Sequence, residues 1–242
     1  MTSVDFERPV GQPDDGRLRV AVVDYGAGNL VSIEQALSTV GARVVIARDG
    51  GALDESDALV VPGVGAAAPA MERLGRRGLV RPILDWINSG RPYLGICLGL
   101  QLLFEMSDED GADTLGVLRG RTVRLEDAPT LPHIGWNQVE RTRDHVLFSG
   151  IAPAADFYFV HSYAGRPEGV TGEAAILATT THGRPFVSAI DHDTVLGVQF
   201  HPERSSGDGL RLLANFVRWA TAIAAGQGAR YAPLGAGGLG GA

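Results

Sequence analysis

The sequence predicts an α/β fold: an open, mostly parallel sheet with helices on both faces, extended by an antiparallel section. Three observations predict it. Short apolar runs alternate with helix-spaced segments from residue 18 to residue 106, the pattern of a parallel sheet covered on both sides. Glycine-containing turns punctuate that alternation. Past Gly120 the texture changes, and strand follows strand until one last helix. With 242 residues, 45% of them hydrophobic and 20% charged, the chain has ample length for a core and is no disordered polymer.

Residues 18–24 form a mostly apolar run closed by Tyr25-Gly-Ala-Gly-Asn29, as a buried parallel strand would be. Residues 30–40 carry apolar side chains at 30, 33, 37 and 40, helical spacing, and stop at Gly41. Second and third strands are expected at 43–47 and 58–61. Helices are expected at 66–74 and at 79–87, the latter with Leu79, Ile83, Leu84 and Ile87 on one face. A further buried strand spans 92–96 and a helix 98–106. Strands without intervening helices are then expected at 121–125, 134–140, 157–161, 173–179, 187–191 and 195–200, and a closing helix at 210–224. Residues 1–17, with Pro9, Pro13 and Asp14-Asp15-Gly16, read as a flexible arm, and the Gly-rich residues 226–242 as a flexible tail. The folded body is 18–225.

The net charge of -7 argues against a nucleic-acid-binding surface, which needs a basic patch. All 21 basic residues are arginines, so arginine supplies every long cationic side chain. No apolar run reaches the roughly 18 residues of a membrane span, and residues 1–17 do not resemble a signal peptide. The single cysteine, Cys97, leaves no internal disulfide and no multi-cysteine zinc site. A cytoplasmic protein is expected.

Three glycine-rich turns compete for a functional role. Gly26-Ala-Gly28 follows the first strand, like a dinucleotide turn lacking its third glycine, and Gly63-Val-Gly65-Ala-Ala-Ala68 follows the third strand in the looser G-x-G-x-x-A form. Such patterns recur by chance in a chain this rich in glycine. Gly95-Ile-Cys97-Leu-Gly99-Leu-Gln101 is more specific. It sits where a strand meets a helix and has the form of a nucleophile elbow with Cys in place of Ser. A helix N-terminus favours the thiolate, and the Leu98 amide can donate to an oxyanion. The competing reading is an inert buried cysteine.

A thiolate that attacks a carbonyl needs a proton carrier and a group to orient it. His145, His182 and His192 lie in polar, turn-like stretches and read as surface residues. His201 ends the last apolar strand in Phe200-His-Pro-Glu203, and residues two apart on extended chain share a face, so Glu203 can orient it. Cys97 and His201 both fall at carboxyl ends of strands, where open parallel sheets place their active groups. The plainer alternative is a surface His–Glu pair.

G-x-C-x-G-x-Q, followed about a hundred residues later by F-H-P-E, resembles the class I, triad-type glutamine amidotransferases. The resemblance implies a flavodoxin-like sheet and a Cys–His–Glu triad of Cys97, His201 and Glu203. It implies an oxyanion loop at Pro62-Gly63-Val64-Gly65, so that the amide of Gly63 or Val64 joins that of Leu98. Tyr25-Gly-Ala-Gly-Asn-Leu30, Pro132-His-Ile-Gly-Trp136-Asn137 and Tyr158-Phe-Val-His-Ser162-Tyr163 resemble the glutaminase subunits of imidazole glycerol phosphate synthases, and the similarity spans residues 18–222. It further implies glutamine contacts from Gly65, Gln101, Glu109, Ser162 and Tyr163. A face of Pro132, Trp136, Asn137 and Tyr158 would be turned to a separate (β/α)8-barrel cyclase, and no metal or organic cofactor would be needed. Trp136 and Tyr158 read equally as packed aromatics, and Glu109 as part of a solvated acidic loop. Arg204 stands where these subunits usually carry lysine, a geometrically unequal exchange. Alternatives are a glutaminase serving another synthase, such as that of pyridoxal phosphate synthesis, a non-catalytic binding protein on the same fold, and a cysteine peptidase.

Overall fold

Residues 16–226 are described by the structure, a computed structural model. The expected arm and tail, apart from their innermost positions, lie outside the described residues. The first half alternates strand and helix: β1 (Arg19–Val23), α1 (Leu30–Thr39), β2 (Arg43–Ala47), α2 (Gly51–Asp54), β3 (Ala58–Gly63), α3 (Ala67–Arg76), α4 (Val80–Asn88), β4 (Tyr93–Cys97) and α5 (Leu98–Gln101). There follow β5 (Met106–Ser107), β6 (Gly120–Arg124), β7 (His133–Gln138), β8 (Glu140–Arg141), β9 (Asp156–His161), β10 (Tyr163–Pro167), α6 (Gly169–Ala174), β11 (Ile176–His182), β12 (Arg184–His192), β13 (Val195–Val198) and α7 (Ser206–Ala224).

Among the described residues the main sheet has eight strands in the order β2-β1-β3-β4-β13-β12-β11-β8. The first five run parallel, and β12, β11 and β8 continue the sheet antiparallel. Period-two alternation divides each strand between two cores. Val20 and Val22 of β1 face the layer that holds Ile33 and Leu37 of α1 and Leu213 and Phe216 of α7. Ala21 and Val23 face the layer of Leu74 of α3 and Ile83 and Trp86 of α4. Two smaller sheets accompany it among the described residues, β10-β6-β5 and the antiparallel ribbon β7-β9.

The helix expected at 98–106 ends at Gln101. Its carbonyls are captured by other chain segments: Leu115 N–H donates to the Leu102 carbonyl, Leu118 to Leu103 and Gly116 to Phe104, at 2.8–2.9 Å. The N–H groups also turn away from the ladder: Leu103 and Phe104 make i to i+3 bonds to Leu100 and Gln101, and Glu105 donates to the Gly120 carbonyl at 3.1 Å. The second half is also not free of helices, because α6 separates β10 from β11 and moves β11 three residues beyond its expected start. Helix α7 starts at Ser206, four residues before its apolar periodicity begins.

Candidate active site

Cys97 closes β4 and opens the single turn of α5. Its φ of 53° and ψ of -107° lie where a side chain other than glycine is strained. The neighbours explain why the turn tolerates it. A Cβ on Gly99 would stand 1.8 Å from the Val61 carbonyl oxygen, and one on Gly95 would stand 2.5 Å from the Gly99 carbonyl oxygen. Both glycines are therefore fixed by close backbone approach, and the cysteine between them takes the strained conformation. It is 5% exposed.

Strand register sets the groups around the sulfur. Gly63, the last residue of β3, pairs directly with Cys97, which puts the start of the Gly63-Val64-Gly65 loop beside the elbow. Leu98 borders the same point, since a Cβ on Gly63 would meet the Leu98 Cβ at 3.0 Å. On the other side of β4, Ile96 pairs with Val198 of β13, and the chain leaves that strand toward His201. The His201 Nδ1 lies 2.8 Å from Glu203 Oε1, both side chains being buried. Its other nitrogen, Nε2, is buried with no oxygen or nitrogen partner, which leaves Cys97 as the group it meets. Burial disfavours a charged ring here, but an anionic Cys97 beside it and the Glu203 carboxylate outweigh burial and push His201 up to about 10. A thiol, an imidazole and a carboxylate thus meet at the carboxyl edge of the parallel strands.

The other predicted residues divide. Gln101 is buried, and its Nε2 donates to the Tyr163 carbonyl at 2.7 Å and to Gln199 Oε1 at 3.0 Å. The Tyr163 carbonyl is thereby engaged, as is that of Ser162, which accepts from Leu125 N–H at 3.0 Å. Gly65 and Val64 are exposed. Glu109 lies on the turn after β5, its carboxyl held above the usual range by burial and by Asp110. Asp110 accepts the Ala68 amide at 2.6 Å, which ties this turn to the segment following Gly65. Gly26 is no open phosphate cradle, because its N–H donates to Asp24 Oδ1 at 2.9 Å and Asp24 is itself bound by Arg48.

On the ribbon, Ile134 and Trp136 are 60% and 52% exposed. Trp136 pairs across strands with Tyr158, their rings edge to face with centroids 6.3 Å apart. Arg204 lays its guanidinium 4.1 Å over the Tyr158 ring. Asn137 turns its amide inward, donating to the Thr181 carbonyl at 2.9 Å and meeting His133 Nε2 at 3.2 Å. Pro132 is exposed at the ribbon's start. His145, His182 and His192 are half-buried rather than plain surface residues: His145 accepts the Leu147 amide, and His182 stacks on His133 with centroids 4.0 Å apart.

Sequence reasoning gave no role to Gln199, Ser205, His133 or His161. Gln199 Nε2 lies 3.5 Å from the Cys97 sulfur. Ser205 Oγ donates to the His201 carbonyl at 2.6 Å and accepts from Tyr158 N–H at 3.0 Å. For Gln199 a signal existed, a lone amide just before His201 in an otherwise apolar strand. The others show only once β7 and β9 are paired and the 201–205 turn is formed.

The family model "Glutamine amidotransferase class-I" matches residues 21–219. Among curated proteins, the imidazole glycerol phosphate synthase subunit HisH of Symbiobacterium thermophilum is 47% identical over 203 residues, covering 83% of this chain and 93% of that one. The HisH subunit of Aquifex aeolicus is 46% identical over 203 residues, covering 83% and 97%. Among solved structures, a glutamine amidotransferase superposes with a TM-score of 0.66 at 20% identity, covering 83% of this chain and 98% of that one. PurLQS from Thermotoga maritima superposes with 0.65 at 16% identity, covering 84% and 99%; these two establish the fold alone. On the match across the whole sheet and on the identity to its curated relatives, this chain belongs to the class I glutamine amidotransferases.

Proposed function

We propose that this chain is the glutamine-hydrolysing subunit of an imidazole glycerol phosphate synthase, with Cys97 as nucleophile, His201 as proton carrier and Glu203 as its orienting group. The Cys97 thiolate adds to the side-chain amide carbon of glutamine, and the carbonyl π electrons move onto oxygen. That oxyanion is received by the Leu98 amide and by Gly63 or Val64. His201 gives its proton to the nitrogen, the C–N bond breaks, and ammonia leaves behind a thioester. Water then gives a proton to His201 and its hydroxide to the acyl carbon, so that glutamate departs and the thiolate returns. Gly65, Gln101, Glu109, Ser162 and Tyr163 surround the bound glutamine. With the carbonyls of Ser162 and Tyr163 engaged inside the protein, Glu109 is the group with charge to offer the α-ammonium.

The observation that carries this reading is the strained Cys97 at a strand end, beside the start of the Gly63 loop on one flank and the buried His201–Glu203 pair on the other. The choice of synthase rests on the HisH relatives, which favour it over pyridoxal phosphate synthesis or a peptidase. Ammonia is mostly protonated at neutral pH and ammonium is no nucleophile, so the acceptor must sit close. We assign that role to a (β/α)8-barrel cyclase docked on the face of Pro132, Trp136 and Tyr158, with Asn137 turned inward behind it. A lone free thiol as nucleophile suits a reducing, cytoplasmic setting, and no helix among the described residues is long and apolar enough to cross a membrane. The test is glutamate release by the complex with Cys97→Ala: loss of at least about a thousandfold at unchanged melting temperature supports the nucleophile, and retained turnover refutes it.

A further inference from the structure

We propose that Gln199 is a polar contact of the nucleophile: its side-chain amide donates a hydrogen bond to the Cys97 sulfur and holds the thiolate ready for attack. The inference rests on Cys97 being the nucleophile. Gln199 is fully buried, and a buried amide is costly unless both its ends are partnered. Its Nε2 lies 3.5 Å from Cys97 Sγ, and its Oε1 lies 3.0 Å from Gln101 Nε2.

The direction of these bonds follows from carbonyl groups, which can only accept. Gln101 stands 2.7 Å from the Tyr163 carbonyl oxygen, so its nitrogen must face that way. The same nitrogen then requires an acceptor from Gln199, which leaves the Gln199 NH2 group turned to the sulfur. The Tyr163 carbonyl also fixes His161, whose Nδ1 lies 2.8 Å away and must carry the proton. His161 Nε2 then accepts from His133 Nδ1 at 3.2 Å. The amide aimed at Cys97 is therefore anchored at a hub shared with the ribbon strand β9, and has no freedom to present its oxygen instead.

An N–H bond to a neutral thiol is weak, whereas one to a thiolate is charge-assisted and strong. Gln199 therefore favours the resting anion. As the carbon–sulfur bond forms, the charge passes to the oxyanion and this bond loosens, so Gln199 acts on the nucleophile and the oxyanion loop on the intermediate. A purely structural glutamine would affect folding and leave the sulfur's reactivity alone.

The experiment compares the whole chain with Gln199→Met, a side chain of similar length that lacks the donor, and with Gln199→Glu. Two readouts are taken: the rate of Cys97 alkylation by iodoacetamide against pH, and glutamate release with the cyclase present. The proposal predicts that the Gln199→Met alkylation curve moves to higher pH by about one unit, with glutaminase activity below neutrality falling roughly tenfold. Gln199→Glu, which puts a carboxylate beside the sulfur when ionised, moves the curve in the same direction. If either variant folds with an unshifted curve, the proposal is overturned. Cys97→Ala run in parallel separates the two ideas: turnover surviving in that variant refutes the nucleophile itself, while a dead Cys97→Ala beside an unshifted Gln199→Met refutes only this inference.

Discussion

A φ of 53° at Cys97 is a cost on the order of 1–3 kcal/mol, and it is imposed by its neighbours. Gly99→Ala forces a methyl to within 1.8 Å of the Val61 carbonyl oxygen, which must push α5 off β3. The expected outcome is destabilisation of about 3 kcal/mol with loss of most glutaminase activity, read by chemical denaturation and glutamate release; a variant of wild-type stability would show that the elbow is not pinned by this contact. His201 makes a sharper statement. With its pKa raised to about 10, above the ordinary 6.5, the stabilisation it contributes is fully present below pH 6.5 and is lost as pH rises through 10. The imidazolium proposed to protonate the leaving nitrogen of glutamine therefore persists far into the alkaline range. The alkaline limb of the glutaminase pH profile is expected near pH 10, and Glu203→Gln should move it downward while lowering kcat by two to four orders of magnitude with little change in KM. A limb near 6.5 in the wild type would mean that neither Cys97 nor Glu203 acts on the ring.

At the level of elements, Tyr158 joins the ribbon β7-β9 to the His201 turn by three contacts. Tyr158 accepts from His201 N–H at 2.9 Å through its carbonyl, donates its own N–H to Ser205, and receives Arg204 on its ring. Beneath the ribbon, burial lowers His133 to about 4, helped by charge on His182, and burial lowers His161 to about 3, helped by charge on His133, His201 and His182. Both rings are thus neutral when folded and take up protons near 6.5 when unfolded. Their contribution to stability is complete above pH 6.5 and is lost as pH falls toward 4 and then 3. Denaturation midpoints measured between pH 7.5 and 4.5 should fall accordingly, and His133→Gln should flatten that slope; equal slopes would remove the buried pair as its cause.

This ribbon also marks the limit of what a sequence tells. The parallel half was legible, because apolar runs ending in glycine and 3.6-residue spacing are local signals; β2 falls at the expected residues and β1, α1, β3 and β4 within two. Cys97, His201 and Glu203 stood out for the same reason, each within a short motif. Strand β10 was hidden by Gly165 and Pro167 in a five-residue strand at the edge of its sheet, where proline is tolerated. The early start of α7 was hidden by Gly207 and Gly209. The helix expected beyond Gln101 is locally sound, but Glu105 N–H donates to Gly120 and the 115–118 segment docks on residues 102–104, and no window on 98–106 contains that information. The pairing of His133 with His161 depends on cross-strand register, which the sequence does not print.

The proposed chemistry lies along one edge of the sheet, and two of the exposed large apolar side chains stand on the adjoining ribbon. Ile134 and Trp136 stand outward at alternate positions of β7, and Trp136 leans on Tyr158, which contacts the His201 turn. Exposed aromatics of this size are characteristic anchors of protein interfaces. Trp136→Ala is expected to weaken cyclase binding by at least about tenfold with a melting temperature close to wild type, since half the ring is already in water; calorimetric titration would check it, and undiminished binding would move the interface elsewhere. Because Tyr158 connects that face to His201, docking should also change the rate at which glutamine is hydrolysed.

The decisive experiment is glutamate release from glutamine, measured for this chain alone, with the cyclase, and with the cyclase carrying its nucleotide ligand, against Cys97→Ala as the blank. Cys97-dependent turnover is expected, low alone and rising sharply with the ligand-loaded cyclase. Turnover indifferent to the cyclase would contradict the partner, and turnover that survives in Cys97→Ala would contradict the mechanism.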